Sequence, residues 1–177
     1  MNPTQTLMNE HRLIEKVLGV LDAVATGAEG GVLPQATAAH ILTFLRELAD
    51  RCHHGKEEKH LFPRLAAYGY TAQTGPVAVM LHEHEIGRGF IREMAGALEA
   101  NAADRFAAAA HGYVTLLQGH IQKEDQILFR IADQVFSETD QREVTEGFER
   151  VELEDMGPGA HGKLHALAER ILSGAVR

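Results

Sequence analysis

The sequence contains a single cysteine, Cys52, and no tryptophan. One cysteine excludes an intrachain disulfide and any metal site built from cysteines alone. No apolar run reaches the ~20 residues that a membrane-spanning helix needs, and the first residues carry neither a basic nor an apolar leader segment. We therefore expect a cytoplasmic protein that does not enter a membrane.

Basic residues are also scarce, since 17 Lys and Arg stand against 25 Asp and Glu in 177 residues, a formal net charge of −8. Nucleic acids and anionic membranes select clustered positive charge, so neither is expected as a partner. A chain of this length and 45% hydrophobic content is typical of one folded domain. Histidine is abundant by comparison, with 11 residues scattered along the chain.

Apolar residues recur at alternating steps of three and four in almost every segment, which is the spacing of one face of an α-helix. No segment alternates with a period of two, so no sheet is predicted. The predicted helices span about residues 4–26, 35–67, 76–99 and 103–136. We predict an all-α fold, an antiparallel up-down four-helix bundle over residues 1–136, with a C-terminal helical extension, residues 137–177, packed on the same domain.

Polar residues interrupt these apolar faces where hydrophobic side chains are expected. His11, His84 and His120 each occupy such a position, and Glu124 follows His120 by one turn on the same face. A buried carboxylate without a partner is costly, so an inward-facing glutamate needs a cation or a hydrogen-bonding partner beside it. The pattern therefore indicates either buried His–Glu pairs or a metal ion between the helices.

The second helix offers two adjacent pairs that compete for the inward position. At 100° per residue, His54 and Glu58 point towards the same side as the apolar residues that follow them, whereas His53 and Glu57 point away. We therefore predict His54 and Glu58 as the inward pair. His53 is then a candidate hydrogen-bond donor near the ligands, and Glu57 a candidate residue along an access path.

An internal repeat supports a metal site. Residues 54–66, HGKEEKHLFPRLA, align without a gap to residues 120–132, HIQKEDQILFRIA, and share H-x-x-x-E. Each copy follows a helix that carries one inward histidine, and a glutamate stands directly before that histidine: Glu10-His11 and Glu83-His84. A cation accounts for all six inward residues together better than separate ion pairs do. The candidate metal ligands are His11, His54, Glu58, His84, His120 and Glu124.

These motifs resemble the hemerythrin-like, HHE cation-binding family over about residues 5–135. The resemblance rests on Glu10-His11, the run CHHGKEEKHLFP, Glu83-His84 with Arg88, and the run HIQKEDQILF. It implies a four-helix bundle with two non-haem iron ions, bridged by carboxylates and an oxo group. It further implies the following ligand set: His11 and His54 on one iron, His84 and His120 on the other, and Glu58 and Glu124 as bridges.

One departure concerns the oxygen-carrying hemerythrins, which have a fifth histidine where this chain has Met80. They also place their second bridging carboxylate at the position of Asp125, whereas helical phase favours Glu124. The four-histidine pattern, with H-x-x-x-E twice, is similar to di-iron proteins linked to nitric oxide stress and iron–sulfur cluster repair. Those proteins usually carry a cysteine-bearing N-terminal domain that is absent from this sequence.

The resemblance implies a protein that reacts with or senses a small ligand, O2, NO or peroxide, in oxidative or nitrosative stress or in iron homeostasis. An electron-donor protein is then an expected partner. The alternative is a carrier, store or sensor of oxygen or iron without turnover, and the sequence leaves open whether the protein is an enzyme. His161 and His165, four residues apart, form either a further metal-binding pair or a solvated helix edge.

Overall fold

The computed structural model describes residues 2–175, which form six helices and no strand. The predicted all-α class is confirmed. Helix α2 covers residues 35–66, α4 covers 103–135 and α5 covers 138–155, each as consecutive helical segments. The other three helices are α1, Pro3–Glu29; α3, Gly75–Glu99; and α6, Ala160–Leu172.

None of the helices in the described residues is long and apolar enough to cross a membrane.

The first four helices form an antiparallel bundle. Thr4 near the start of α1 contacts Asp133 near the end of α4, whereas Asp22 further along α1 contacts His111 near the start of α4. Helix α3 runs against α4, and α2 against α3, in the same opposed manner. Short connections between consecutive helices require this arrangement, because each helix must reverse direction to pack on the one before it.

A layer of buried polar residues divides the bundle core into two hydrophobic clusters. On α1, Leu7 belongs to one cluster and Ile14 to the other, with His11 between them. On α4, Ile121 and Leu128 flank Glu124 in the same way. The apolar clusters hold the helices together above and below the layer, so the polar side chains between them are kept dry and in fixed positions.

Both H-x-x-x-E helices change from α to π geometry at the polar layer. In α2 the π segments are Leu45–His54 and Glu57–Leu61, and in α4 the π segment is Glu124–Leu128. A π turn closes with hydrogen bonds five residues apart, so it contains more residues than an α turn and shifts which side chains face the core. Such turns inside α-helices are frequent at functional sites.

The C-terminal extension packs on the side of the bundle formed by α1 and α2. Helix α5 starts with a capping box between Ser137 and Asp140, and the Asp140 carboxylate also accepts a hydrogen bond from Arg64 of α2 at 2.7 Å. Helix α6 packs on α1 and α2. The two extension helices meet at a turn through Gly157 and Gly159, both at positive φ, which glycine adopts without strain. The division of the chain at residue 136 stays a prediction.

The closest approach of α5 to α2 depends on Gly147. A Cβ at this position would lie 2.5 Å from Cγ of His60, an atom close to the helix backbone that cannot easily move away. Gly147→Ala is therefore expected to destabilise the fold by about 1–3 kcal/mol, the usual range for overpacking. The measurement is the free energy of unfolding by denaturant.

Gly162→Ala provides the matched control. Gly162 lies in α6 with open space where the added Cβ would stand, so alanine there gains helix propensity and costs nothing in packing. This variant should be as stable as wild type or slightly more so. Equal stability of the two alanine variants would contradict a tight contact between α5 and α2.

Candidate metal centre

Five imidazoles from four helices meet in the polar layer. Each is at most 4% exposed, so none of them is a surface histidine. The rings of His54 and His84 stack with centroids 3.7 Å apart, and those of His11 and His53 lie 4.6 Å apart. The five are His11 on α1, His53 and His54 on α2, His84 on α3 and His120 on α4.

Every one of these rings points Nδ1 outward, towards a carboxylate at the periphery of the layer. A neutral imidazole that donates its Nδ1 proton keeps a lone pair on Nε2. The five Nε2 atoms thus point into the layer, where those of His84 and His120 lie 3.2 Å apart. The pairs are His11–Asp125 at 2.7 Å, His53–Glu10 at 2.8 Å, His54–Asp50 at 3.3 Å, His84–Glu58 at 2.7 Å and His120–Glu83 at 2.9 Å.

Two fully buried carboxylates, Glu57 and Glu124, lie among the Nε2 atoms at the centre. Each carboxylate reaches one imidazole from its own helix and one from a neighbouring helix. The distances to Nε2 are 3.5 Å from Glu57 to His53, 3.4 Å from Glu57 to His84, 3.2 Å from Glu124 to His11 and 3.4 Å from Glu124 to His120.

The central atoms are close together but do not satisfy one another. Within the described residues, neither oxygen of Glu57 or Glu124 has a hydrogen-bond partner of proper geometry, nor does Nε2 of His11 or His53. The Glu124 carboxylate lies 3.2 Å from Nε2 of His11, and the Glu57 carboxylate lies 3.5 Å from Nε2 of His53. Orphaned buried acceptors are costly, and a cation between them would satisfy all of them at once. The donor set therefore fits a metal ion.

The potential ligand atoms fall into two overlapping groups. One group of potential ligand atoms, all within 4.8 Å of one another, comes from His54, Glu57, His84 and His120. The other, by the same measure, comes from His11, His53, Glu57 and Glu124. Glu57 belongs to both groups, and Glu124 also approaches His120 of the first group. Shared carboxylates between adjacent groups are the arrangement of a two-metal site.

Charges in the metal-free layer are strongly perturbed. Burial and the neighbouring Glu124 raise the pKa of Glu57 to about 8. Burial would by itself raise the pKa of Glu124 too, but His120 and His11 hold it well below its usual range. Two buried carboxylates this close cannot both ionise without positive charge between them, so one takes a proton. The buried carboxylates of the layer therefore need positive charge beside them to be ionised.

The pKa values of the buried imidazoles shift in opposite directions. Burial alone would lower the pKa of His11, but the neighbouring carboxylates of Asp125 and Glu124 raise it to about 9. The pKa of His84 is raised to about 9 in the same way, against the effect of burial, by Glu57 and Glu58. Burial and the charge on His11 instead lower the pKa of His53 to about 4. Without metal, protons on His11 and His84 supply the charge that the carboxylates need.

The structure brings five of the six candidate ligands from the sequence into the layer, and leaves out one. Glu58 is 28% exposed and lies behind His84, where it accepts hydrogen bonds from His84 and Arg88. Glu57 takes the central position instead, and His53 joins His54 in facing inward. This placement corrects the choice made at 100° per residue, because the π segments of α2 rotate the following side chains away from α-helical phase.

The sequence contains a signal for this arrangement. It appears when the internal repeat is aligned with a shift of one residue, so that residue 53 rather than residue 54 matches residue 120. Residues 53–62, HHGKEEKHLF, and 120–129, HIQKEDQILF, also align without a gap and share H-x-x-K-E-[E/D]-x-x-L-F. The structure supports this register, since Leu61 and Leu128 are both buried whereas Ile127 is 52% exposed. In this register His53 matches His120 and Glu57 matches Glu124.

The peripheral contacts obey the same twofold relation. Glu10 precedes His11 and accepts from His53, and Glu83 precedes His84 and accepts from His120. Glu58 and Asp125 are equivalent in the repeat. Glu58 accepts a hydrogen bond from His84, and Asp125 accepts one from His11. His54 breaks the symmetry, because its counterpart in the second repeat is the apolar residue Ile121.

Other histidines and Met80 lie outside this layer. Met80 is buried in the apolar cluster of Leu7 and Leu61. His161 and His165 sit side by side with ring centroids 4.6 Å apart, and His161 Nε2 lies 3.2 Å from Glu10. The count of buried imidazoles in the layer is therefore five rather than four, and the four-histidine subtype is not confirmed.

Comparison with known proteins agrees with this geometry. The family model of the hemerythrin HHE cation binding domain matches residues 2–132. Uncharacterised proteins of Mycobacterium tuberculosis and Mycobacterium bovis are 24% identical over 160 residues, covering 86% of this chain and 62% of theirs. The chain spans about three fifths of the length of these curated relatives, and no solved structure is significantly similar. The chain belongs to the hemerythrin HHE cation-binding family, and the matched residues include the whole buried polar layer.

Proposed function

We propose that the protein is a non-haem di-iron protein that reacts with or senses a small ligand, O2, NO or peroxide. The observation that carries this proposal is the layer of five inward Nε2 atoms and two orphaned carboxylates in two overlapping groups. Imidazole and carboxylate donors together suit iron. Membership of a cation-binding family supports a metal at this place.

The two iron positions would have unequal ligand sets. His54, His84 and His120 would hold one iron, and His11 and His53 the other, with Glu57 and Glu124 shared between them. Two imidazoles leave more of the coordination shell open than three, so an external ligand is expected to bind on the side of His11 and His53. When bound, an iron pair supplies electron transfer to and from a small oxidant.

Burial restricts what can reach the site. All five imidazoles are at most 4% exposed, and Glu57 and Glu124 are fully buried. A narrow gap borders His11, His53, His54 and His120, and its apolar lining consists of Ile14, Leu117 and Ile121. The gap has no room for a water-sized molecule unless the surrounding side chains move, which favours the smallest ligands, such as a diatomic molecule or peroxide, over a larger substrate.

A second candidate function, binding without turnover, is favoured by the same apolar lining. Turnover of peroxide or oxygen needs a group that delivers protons to the ligand. Ile14, Leu117 and Ile121 do not carry protons, so an adduct beside them would be shielded from protonation. On this proposal the protein stores, carries or senses its ligand. Turnover in a stress response, by contrast, would require an electron-donor partner.

The experiment that tests the proposal is anaerobic loading with Fe(II), followed by metal analysis and optical spectroscopy. About two irons per chain are expected, since two groups of ligands are present. Titration with O2, NO and hydrogen peroxide should then change the spectrum, and repeated additions separate catalytic consumption from stoichiometric binding. Binding of one iron or none would reject the di-iron proposal, and a spectrum unchanged by all three would reject the ligand class.

A further inference from the structure

Each half of the metal layer has a lysine behind the glutamate that holds a ligand histidine. In one half, Lys123 forms an ion pair with Glu83, which accepts from His120. In the other, Lys56 contacts Glu10 at 2.5 Å, and Glu10 accepts from His53. Lys56 and Lys123 are equivalent residues of the internal repeat. The two Lys–Glu–His chains are thus built alike.

Their surroundings differ because of the C-terminal extension. The side chain of Lys123 is 39% exposed, whereas that of Lys56 is fully buried. Lys56 donates a second hydrogen bond to Glu152 of α5 at 2.6 Å, and its ammonium lies 5.8 Å from the ring centroid of Phe148. A buried ammonium is tolerated only where its charge and its protons are satisfied. The extension therefore completes the environment of Lys56.

The extension also contacts Glu10 directly. Nε2 of His161, at the start of α6, lies 3.2 Å from Oε1 of Glu10. Oε1 thus faces both Lys56 and His161, while Oε2 accepts from His53. With both oxygens held, the carboxylate has little freedom to rotate, and the plane of the His53 ring is set by it.

This cluster is not itself a third metal site. Glu10, Cys52, Glu152 and His161 offer ligand atoms within 4.8 Å of one another. The ammonium of Lys56, however, already lies at hydrogen-bond distance from both carboxylates and so takes the place of a cation. Burial raises the pKa of the Cys52 thiol to about 12, and a protonated thiol is a poor metal ligand.

We propose that the C-terminal extension positions one half of the metal centre, with Lys56, Glu152 and His161 acting as positioning residues through Glu10 and His53. The half that contains His120 has no such cover from the extension among the described residues, since Glu83 is held there by the partly exposed Lys123. The effect on iron rests on the di-iron function proposed above. The effect on the orientation of His53 does not.

The test uses the full chain with the double substitution Glu152→Leu and His161→Leu. Both side chains are about one third exposed, and Lys56 keeps Glu10 as its partner in this variant. The free energy of unfolding of the variant is measured first to establish that it is folded. In the iron-loaded protein, one of the two irons is expected to leave about tenfold faster to a chelator, the usual effect of losing a contact behind a metal ligand. The other iron should leave at the wild-type rate.

Two further variants provide the controls. Glu154→Leu with Lys163→Leu changes the same two helices at exposed positions and should release iron as wild type does. The single variant His161→Gln keeps Glu152 and retains an N–H donor towards Glu10. Its rate of iron release should therefore be close to that of wild type. Equal release rates in the Leu double variant and wild type would overturn the proposal for the loaded protein.

A readout without metal separates this proposal from the di-iron function. In 15N-histidine-labelled, metal-free protein, two-dimensional NMR reports which ring nitrogen of His53 carries the proton. Wild type should show the Nδ1–H form alone, and the Leu double variant a mixture of both forms. If the tautomer of His53 is unchanged in the variant, the positioning role is overturned whatever the iron does. If wild type binds no iron, the di-iron function fails and this readout still decides.

Discussion

Glu57→Gln is expected to lose most of the bound iron, whereas Glu58→Gln should retain nearly all of it. Glu57 belongs to both groups of ligand atoms, so its amide would remove a shared anionic donor from both irons. Glu58 accepts a hydrogen bond from Nδ1 of His84 and lies outside the layer, and its loss should weaken iron binding by about 10–100-fold, much less than the loss of a shared ligand. Iron per chain after anaerobic loading and desalting is the measurement.

Glutamine is the appropriate replacement because it preserves the metal-free fold. The pKa of Glu57 is raised to about 8, so the side chain is a neutral acid in the metal-free protein at neutral pH, and an amide of the same shape imitates it. The free energy of unfolding without metal should therefore change little. The reverse result, iron lost in Glu58→Gln and kept in Glu57→Gln, would restore the assignment made from α-helical phase.

Iron affinity should rise steeply with pH up to about 9. Metal binding requires Nε2 of His11 and His84 and the carboxylate of Glu57 to be free of protons. Their pKa values are raised to about 9, 9 and 8, so all three hold protons in the metal-free protein at pH 7. Each displaced proton contributes about tenfold in affinity per pH unit, which gives about 1,000-fold per unit for three protons below pH 8 and about 100-fold for two between pH 8 and 9. Ordinary pKa values would give no slope above about pH 7.

Anaerobic competition with an Fe(II) chelator at pH 6.5, 7.5 and 8.5 measures this slope. The stability of the metal-free protein should change in the opposite direction. A histidine whose folded pKa is raised stabilises the fold below its unfolded value of 6.5, and this stabilisation is lost as pH rises through about 9. The raised pKa of Glu57 acts in the same direction, because the free energy of unfolding falls further as this buried carboxyl loses its proton near pH 8.

The loaded protein provides the control for the pH experiment. Because iron replaces the protons, its free energy of unfolding should not fall between pH 6.5 and 9 as that of the metal-free protein does. Glu57→Gln should remove one of the three displaced protons and flatten the affinity slope accordingly. A slope near zero above pH 7 in wild type would show that the carboxylates at the centre do not raise the imidazole pKa values as inferred.

The inequality between the two halves of the layer has two separate sources. His54 adds a third imidazole to one of the two groups of potential ligands, where the second repeat has Ile121. The extension buries Lys56 behind the other group, where the second repeat leaves Lys123 partly exposed. A symmetric pair of repeats thus becomes a site with one position richer in imidazole and another held from behind by α5 and α6.

The helices and most of the inward residues could be predicted from the sequence. Steps of three and four mark one face of a helix as long as the helix keeps α geometry, and α1 and α3 do so throughout. His11 and His84 are therefore found directly, and His120 precedes the π turn of α4 and is found as well. Their burial beside carboxylates was enough to indicate a cation.

Only the tertiary structure decided between Glu57 and Glu58 and brought His53 into the layer. Residues of α2 before and within the ligand turn have π geometry, and an apolar pattern read at 100° per residue then loses its phase by one position. The burial of Lys56 could not be predicted from the sequence either, since lysine is almost never fully buried without partners. Its partner Glu152 lies 96 residues further along the chain, and only folding brings the two charges together.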